Sequence, residues 1–585
     1  MQFFKYTLAT IVGLFLFSFL MFLVLVGIVA VASSEGEVSV AKNSVLELKL
    51  DKPIQERGGN DPFESFGAIG GLSNVYGLNE IKASIRHAKT NDKIRGIYLN
   101  VEILSAGMAT VQEIRDALLD FKKSGKFIVA YNDICSEKAY YLTSVADRQY
   151  LNPQGALELN GLSSEVLFFK GTLEKLDIQP YIFKVGEYKS AVEPFILDKM
   201  SDPSRQQVSS FLNSLNDYSL QNIAKSRGKT VAQLQNISDS MLVRTPEDAL
   251  KYGLISHVGY FDEALAFMKK KAGLKEDDKL YMVEIRKYKK VAAQEEDDYA
   301  KNKIAVIYAE GEIVNGEGSG DNIGGTRFAD EIRKARKDKN VKAIVLRINS
   351  PGGSAMASDV MWREVMLARK VKPVIASMSD VAASGGYYLA MACDTIVAHP
   401  NTITGSIGVF GMFANLAPFL NNKLGITVDR VKTGPYADMP SVTRQLTDVE
   451  KKIVQDQVER IYKDFTTKAA QGRGMTVEAL RKVASGRVWS GSEAKERGLV
   501  DVFGNLEDAI KIAASHAKLK DKYQLKHLPV QKTFFDEIMT GMESRVRTHF
   551  LKSELGETYP YYEKMKQLRQ FEGIQARMPY DFLIQ

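Results

Sequence analysis

The chain has 585 residues, with 78 Lys and Arg against 71 Asp and Glu, 6 His and 2 Cys. That length gives room for roughly two to four domains with substantial cores, which excludes a small stapled or disordered protein. The net charge of +7 is dispersed, and no basic run interleaved with aromatics argues for nucleic acid.

Residues 7–32 (TLATIVGLFLFSFLMFLVLVGIVAVA) carry no charge, and about 25 such residues suffice to cross a bilayer. Lys5 precedes the run, whereas Glu35 and Glu37 follow it. This asymmetry favours a cytoplasmic amino end (residues 1–6) and an exported body. Ala30-Val31-Ala32 resembles a signal-peptide cleavage site. The run is much longer than the roughly 7–15 residues of a signal-peptide core, so an uncleaved anchor is expected. Cys135 and Cys393 each lie in or beside an apolar stretch and are expected as buried free thiols, too few for a disulfide framework or a four-ligand zinc site.

The body is one unit written twice. Residues 96–101 (GIYLNV) and 126–133 (KFIVAYND), followed by AYYLTSVADRQYLNPQG, recur as 343–348 (AIVLRI) and 372–380 (KPVIASMSD), followed by GYYLAMACDTIVAHPNT. Tyr140 and Tyr387, Asp147 and Asp394, Pro153 and Pro400, and Gly161 and Gly408 share one offset of 247 residues. β-branched runs alternate with helical stretches such as 329–340, which reads as βαβ units and an α/β class. The expected organisation is a first repeat over 45–286, a charged, core-free linker over 287–302, a second repeat over 303–520, and a tail over 521–585. The tail has amphipathic stretches and a late aromatic cluster, and its place is left open.

The copies differ where chemistry is plausible. After its first strand the second copy has Asn349-Ser350-Pro351-Gly352-Gly353-Ser354, a backbone able to present bare N–H groups to a ligand. Further on, Ser384-Gly385-Gly386 lies between a strand and a helix, where the Gly385 N–H could stabilise an oxyanion beside a serine nucleophile. A capping or packing role would be wanted in both copies, yet the first has Glu137 at this position. His399 fits no known Ser-His-Asp order and is set aside as the base. A desolvated lysine is the alternative. The first copy supplies Val185-Gly186-Glu187-Tyr188-Lys189, where the second has Ala437 in place of Lys189. One copy therefore holds the serine and the other the lysine, which predicts a site between them. Ser406, in Thr404-Gly405-Ser406-Ile407-Gly408, is specific to the Ser384 copy and is expected to orient the lysine amine.

These motifs (NSPGGS, SDVAASGGYYLA, TGSIGV and VGEYKSAVEPF), with the single anchor and both repeats, resemble the signal peptide peptidase A (protease IV) family in its long two-repeat form. The resemblance implies two ClpP/crotonase-like repeats, a Ser384/Lys189 serine endopeptidase, and oxyanion N–H groups from Gly353 and Gly385. It also implies a homotetramer on the outer face of the bacterial cytoplasmic membrane, anchored in its lipid, degrading apolar peptides and released signal peptides. No cofactor or metal is expected. Substrate main chain is expected beside Gly352 to Ser354, with Met378, Met391 and Met412 as pocket or core residues. The rivals are a crotonase-type acyl-CoA enzyme and a non-catalytic scaffold of the same fold.

Overall fold

The computed structural model describes residues 2–33, 40–59, 75–293, 300–318, 322–520, 522–531 and 573–578. Helix α1 (Gln2–Ser33) contains the stretch expected as an anchor, and among the described residues its span Phe3–Met21 is not buried. It is long and apolar enough to cross a membrane. Glu35 and Glu37 lie outside the described residues.

The first repeat is built on strands β1 (Ser44–Lys49), β2 (Ile94–Asn100), β3 (Phe127–Cys135) and β4 (Arg148–Leu157), paired in parallel in the order β4-β3-β2-β1. Alternation along the strands feeds two cores. Leu46, Leu48, Ile97 and Leu99 pack under helices α2 (Leu78–Thr90) and α3 (Met108–Lys122), while Val45, Tyr98 and Val129 pack against Ala264 and Met268 of Phe261–Ala272. The short helix α4 (Glu137–Thr143) follows β3. Strand β5 (Gln179–Val185) leaves this sheet altogether, and helix α5 (Asp202–Arg227) follows it in the chain.

The segment expected as a core-free linker begins instead as helix α6 (Ile285–Ala293), with Tyr288 fully buried in the first core. The clustered charge of this stretch hid an amphipathic face. Residues 294–299 lie outside the described part.

The second repeat repeats the plan with β6 (Lys303–Glu310), β7 (Glu312–Val314), β8 (Val341–Ser350), β9 (Gly352–Ser354), β10 (Val374–Ala383), β11 (Ile403–Gly405), β12 (Val409–Asn415) and β13 (Val488–Ser490). The short helix α7 (Gly385–Ala390) follows β10 as α4 follows β3. The repeat is visible atom by atom. Asp147 accepts from the Ile128 N–H and Asp394 from the Val374 N–H, both at 2.8 Å. Tyr140 and Tyr387 each donate a hydroxyl to the carbonyl of a later leucine, Leu254 and Leu499.

The second unit runs past the boundary expected at residue 520. β14 (Gln524–Leu528) pairs in parallel with β6 at the sheet edge, and β15 (Gly573–Arg577) lies antiparallel between β9 and β12. The rest of the tail, with its aromatic cluster, lies outside the described residues apart from Met578.

Two polar contacts at α3 help to set the repeats against each other. Arg347 on β8, fully buried, donates to Glu56 at 2.8 Å and to Glu113 of α3 at 2.7 Å. Asp380 on β10 accepts from the Thr110 N–H at 2.8 Å and its hydroxyl at 2.5 Å, at the start of α3. Burial pushes the Glu113 carboxyl up, but Arg347 and Lys82 outweigh this and hold it well below the usual carboxylate range.

Candidate active site

The lysine reaches the serine because strands of the two copies pair. β5 of the first repeat runs antiparallel to β12 of the second, with Val185 opposite Val409. The chain leaving β5 towards Lys189 therefore passes the chain entering β12 from Ser406. The Gly186-to-Lys189 turn then docks on Ser485 and Gly486. Tyr188 N donates to the Ser485 carbonyl at 3.1 Å, and a Cβ on Gly486 (φ +79°) would stand 2.7 Å from the Lys189 Cβ. Only glycine suits that backbone and that approach.

Ser384 is placed by the ladder between β10 and β11, where Ala383 lies opposite Gly405 and Ser384 N donates to the Gly405 carbonyl at 2.9 Å. Its φ of +54° is a strained strand-to-helix turn for a residue with a side chain. Gly385 and Gly386, which follow, face Ser358 and Ser350, where a Cβ would come within 2.7 Å of each.

At the centre, Lys189 Nζ lies 3.0 Å from Ser384 Oγ, 3.1 Å from Ser406 Oγ and 3.3 Å from the Ser406 carbonyl oxygen. All three residues have no exposed surface. Burial holds the Lys189 amine well below the usual lysine value, and its hydrogen-bond partners are two hydroxyls and one carbonyl rather than carboxylates. An amine kept neutral at hydrogen-bond distance from a hydroxyl can accept that hydroxyl's proton.

The glycines of β9 face this centre. Gly352 and Gly353 have φ of +98° and +149°, and a Cβ on Gly352 would stand 2.7 Å from Gly385 N. Across the ladder Gly353 lies opposite Ala576 of β15, and a Cβ on Gly385 would stand 3.0 Å from the Ala576 carbonyl oxygen. The edge expected to receive substrate main chain is thus occupied by a strand of the chain itself.

His399 is buried beside Glu113, at 3.7 Å, within the charge cluster joining the repeats. Met378 and Met391 fill the core, while Met412 packs with Phe410, Ala191 and Val192. Cys135 and Cys393 are free and buried, and burial raises the Cys135 thiol to about 12.

Gln207 on α5 was not evident from the sequence. Its amide donates to the Tyr188 carbonyl at 3.1 Å and to Ser190 Oγ at 2.7 Å, and accepts from the Val488 N–H at 3.0 Å, tying the lysine turn to β13. Arg487 stacks over Tyr188 at 4.8 Å. The only cue was the small-residue run at 484–486 before Arg487, because buried Gln residues carry no spacing signature.

The sequence matches the peptidase family S49 profile over residues 120–275 and 366–520, once in each repeat. It is 36% identical over 547 residues to the chloroplastic serine protease SPPA of Arabidopsis thaliana, covering 92% of this chain and 78% of that protein. Against Protease 4 of Salmonella typhi it is 36% identical over 546 residues, covering 90% and 87% respectively. Protease 4 of Haemophilus influenzae is 36% identical over 445 residues, 74% of this chain and 71% of that protein.

Proposed function

The chain belongs to peptidase family S49 and is a serine peptidase; from that premise we propose that Ser384 is its nucleophile and Lys189 its general base. The observation that carries this is the 3.0 Å contact between the buried Lys189 Nζ and Ser384 Oγ.

Neutral Lys189 takes the Ser384 proton as Oγ attacks the carbonyl carbon of a peptide bond. The N–H groups of Gly353 and Gly385 stabilise the tetrahedral oxyanion. The Lys189 ammonium then protonates the leaving amine, and an acyl ester remains on Ser384. Lys189, neutral again, takes a proton from water, which hydrolyses the ester and restores the serine. Ser406 Oγ, 3.1 Å from Nζ, holds the amine on the line to Ser384 throughout.

The buried, hydroxyl-lined centre, and the extended segment Gln575–Arg577 that lies along Gly352–Ser354, support a preference for extended apolar peptides read through their main chain. With an apolar helix at the amino end, this supports a membrane-anchored peptidase acting on released signal peptides. Lys5 ahead of the span supports an amino end inside and a catalytic body on the outer, periplasmic face of the bacterial cytoplasmic membrane. The family resemblance adds a homotetramer, to be checked by light scattering in detergent.

Covalent labelling tests the dyad. A fluorophosphonate probe should modify wild-type protein at Ser384 and leave Ser384→Ala and Lys189→Ala unmodified. Equal labelling of Lys189→Ala and wild type would remove the lysine from the mechanism.

A further inference from the structure

The basic charge that is dispersed along the sequence is gathered by the fold. Strands β6, β8, β10 and β14 of the second repeat are parallel, so their first residues share one end of the sheet. The stretches that reach this end are 301–303, 334–342, 369–372, 391–394 and 518–526, with 14 Lys and Arg against 3 Asp, whereas the whole chain has 78 against 71. An ordinary solvated face would mix the signs as the rest of the chain does. Two of the acids are used within the same end, Asp338 by Lys526 at 3.0 Å and Asp394 by Arg369 at 2.8 Å. Lys337, Lys339, Lys370, Lys518, Lys520 and Lys522 are exposed, and none of them has an ion-pair partner among the described residues. Beside Lys370, the apolar side chain of Val371 is 64% exposed.

The first repeat points the same way. Asp380, near the end of β10, meets Thr110 at the start of α3, which follows the end of β2. Glu507, at the start of the helix Leu506–His516, pairs with Lys82 near the start of α2, a helix that runs back to the beginning of β2. The strand ends of both repeats therefore face one side and their beginnings the other. On the side of the beginnings, the first repeat adds Lys42 before β1, and Lys93 and Arg95 around the start of β2. The apolar helix joins the body here too. Helix α1 ends at Ser33 and the described body resumes at Val40, ahead of β1. The chain between them reaches at most about 25 Å, so the lysine-bearing side stays within that distance of the end of α1. Ser384 follows the end of β10, on the opposite side.

We propose that the lysine-bearing side of the body lies on the bilayer that holds α1, with its ammonium groups on the phosphates of anionic lipid headgroups. The proposal rests on the reading of α1 as an anchor and is independent of the dyad. Each lysine near an anionic bilayer strengthens association about fivefold, and six of them act together. Their methylene stems let the ammonium groups reach the phosphate plane while Val371 enters the headgroup layer. The body then stands with its strand beginnings on the lipid and the Ser384 end turned to water.

Full-length chain in lipid nanodiscs tests this. Cys135 and Cys393 are buried, so a bimane dye attaches to a cysteine introduced as Asn340→Cys, on the lysine side, or as Ile103→Cys, 69% exposed and past the end of β2. In discs of phosphatidylcholine and phosphatidylglycerol carrying a headgroup nitroxide lipid, the dye at Asn340→Cys should lose most of its emission and the dye at Ile103→Cys should keep it. The quenching should be lost in discs of phosphatidylcholine alone, and in about 1 M KCl, where the screening length is about 3 Å. It should be lost as well in the combined variant K337Q/K339Q/K370Q/K520Q, whose peptidase activity in detergent should equal that of wild type. Equal quenching in neutral discs, or in the combined variant, reduces the effect to the tether and overturns the lipid contact. Quenching at Ile103→Cys in place of Asn340→Cys overturns the assigned side. A chain that does not co-elute with the discs defeats the anchor reading, and this proposal with it.

Discussion

Replacing Lys189 by Met keeps a flexible apolar stem in the space between Gly408 and Gly486 and removes only the amine. A lysine at its ordinary pKa of about 10.4 is neutral in roughly one molecule in 2,500 at pH 7. An exposed lysine would therefore be a base almost always carrying its proton. Burial of Lys189 lessens that handicap, because desolvation holds its amine well below the usual lysine value. The variant loses the whole contribution of a positioned base, about 10²- to 10⁴-fold in acylation rate, or about 3–5 kcal/mol in barrier. The assay is the rate of fluorophosphonate labelling from pH 5 to 10 for wild type and Lys189→Met. The active form is the neutral amine, so wild-type labelling should rise with pH through the lowered folded pKa and then level, while the variant stays low and loses that rise. The same burial has a signature in stability. A lysine whose folded pKa is depressed leaves the unfolded chain binding more protons between the two pKa values, so wild-type stability should climb with pH over that window relative to Lys189→Met. Wild-type labelling in the variant, or a flat wild-type profile, would refute the argument.

Gly486→Ala, with its Cβ driven against Lys189 and φ at +79°, should displace the lysine turn and lower labelling at least about tenfold with the fold retained by circular dichroism. Ser406→Ala removes the 3.1 Å partner of Nζ and should cost about 1 kcal/mol, seen in kcat more than in KM for a peptide substrate. Arg347→Met leaves Glu56 and Glu113 buried without their shared cation, and should lower unfolding stability by about 3–5 kcal/mol in urea titration. Because the Glu113 carboxyl is depressed in the fold, its contribution to stability is present above the unfolded value of about 4.3 and is lost as pH falls further, which acid titration of wild type should register.

The repeat and the division of serine and lysine between its copies were legible because an offset of 247 residues, becoming 248 at the Gly186/Gly434 turn, marks equivalent positions. A substitution within an equivalent pair, Glu137 against Ser384 or Lys189 against Ala437, stands out without any knowledge of the fold. Gly352 and Gly353 stood out only beside Ser384-Gly385-Gly386, since paired glycines after a strand by themselves more often mark a turn. Gln207 and Gly486 were not, because they act on Lys189 through contacts between segments distant in sequence, and neither residue type carries a spacing rule. Tyr288 was hidden by its neighbours: one apolar face of a short helix is outweighed by the charges around it. The strand at Gly573–Arg577 was out of reach too. It has no sheet of its own and is extended only because β9 and β12 leave a gap of one strand between them.

The first copy differs from the second at the position of the proposed nucleophile. At the place of Ser384 it carries Glu137, whose carboxylate accepts the N–H groups of Asn160 at 2.9 Å and Gly161 at 2.8 Å. Gly161 is the counterpart of Gly408, so the loop that flanks the serine in one copy is bound to a carboxylate in the other. Burial raises the Glu137 carboxyl, and the two N–H groups oppose that shift. The loop is thereby stapled shut by its own side chain. Nor could a serine restored there find a base, because the residue matching Lys189 is Ala437 and its neighbour Tyr436 is exposed. The first copy makes two contributions to the second: β5 carries Lys189 to Ser384, and α3 presents Thr110 and Glu113 to Asp380 and Arg347. Asp380 lies four residues before Ser384 on the same strand. The contact that docks the repeats therefore also fixes the strand that leads into Ser384, and a change at that interface should be felt in the Lys189–Ser384 distance before it is felt in the fold.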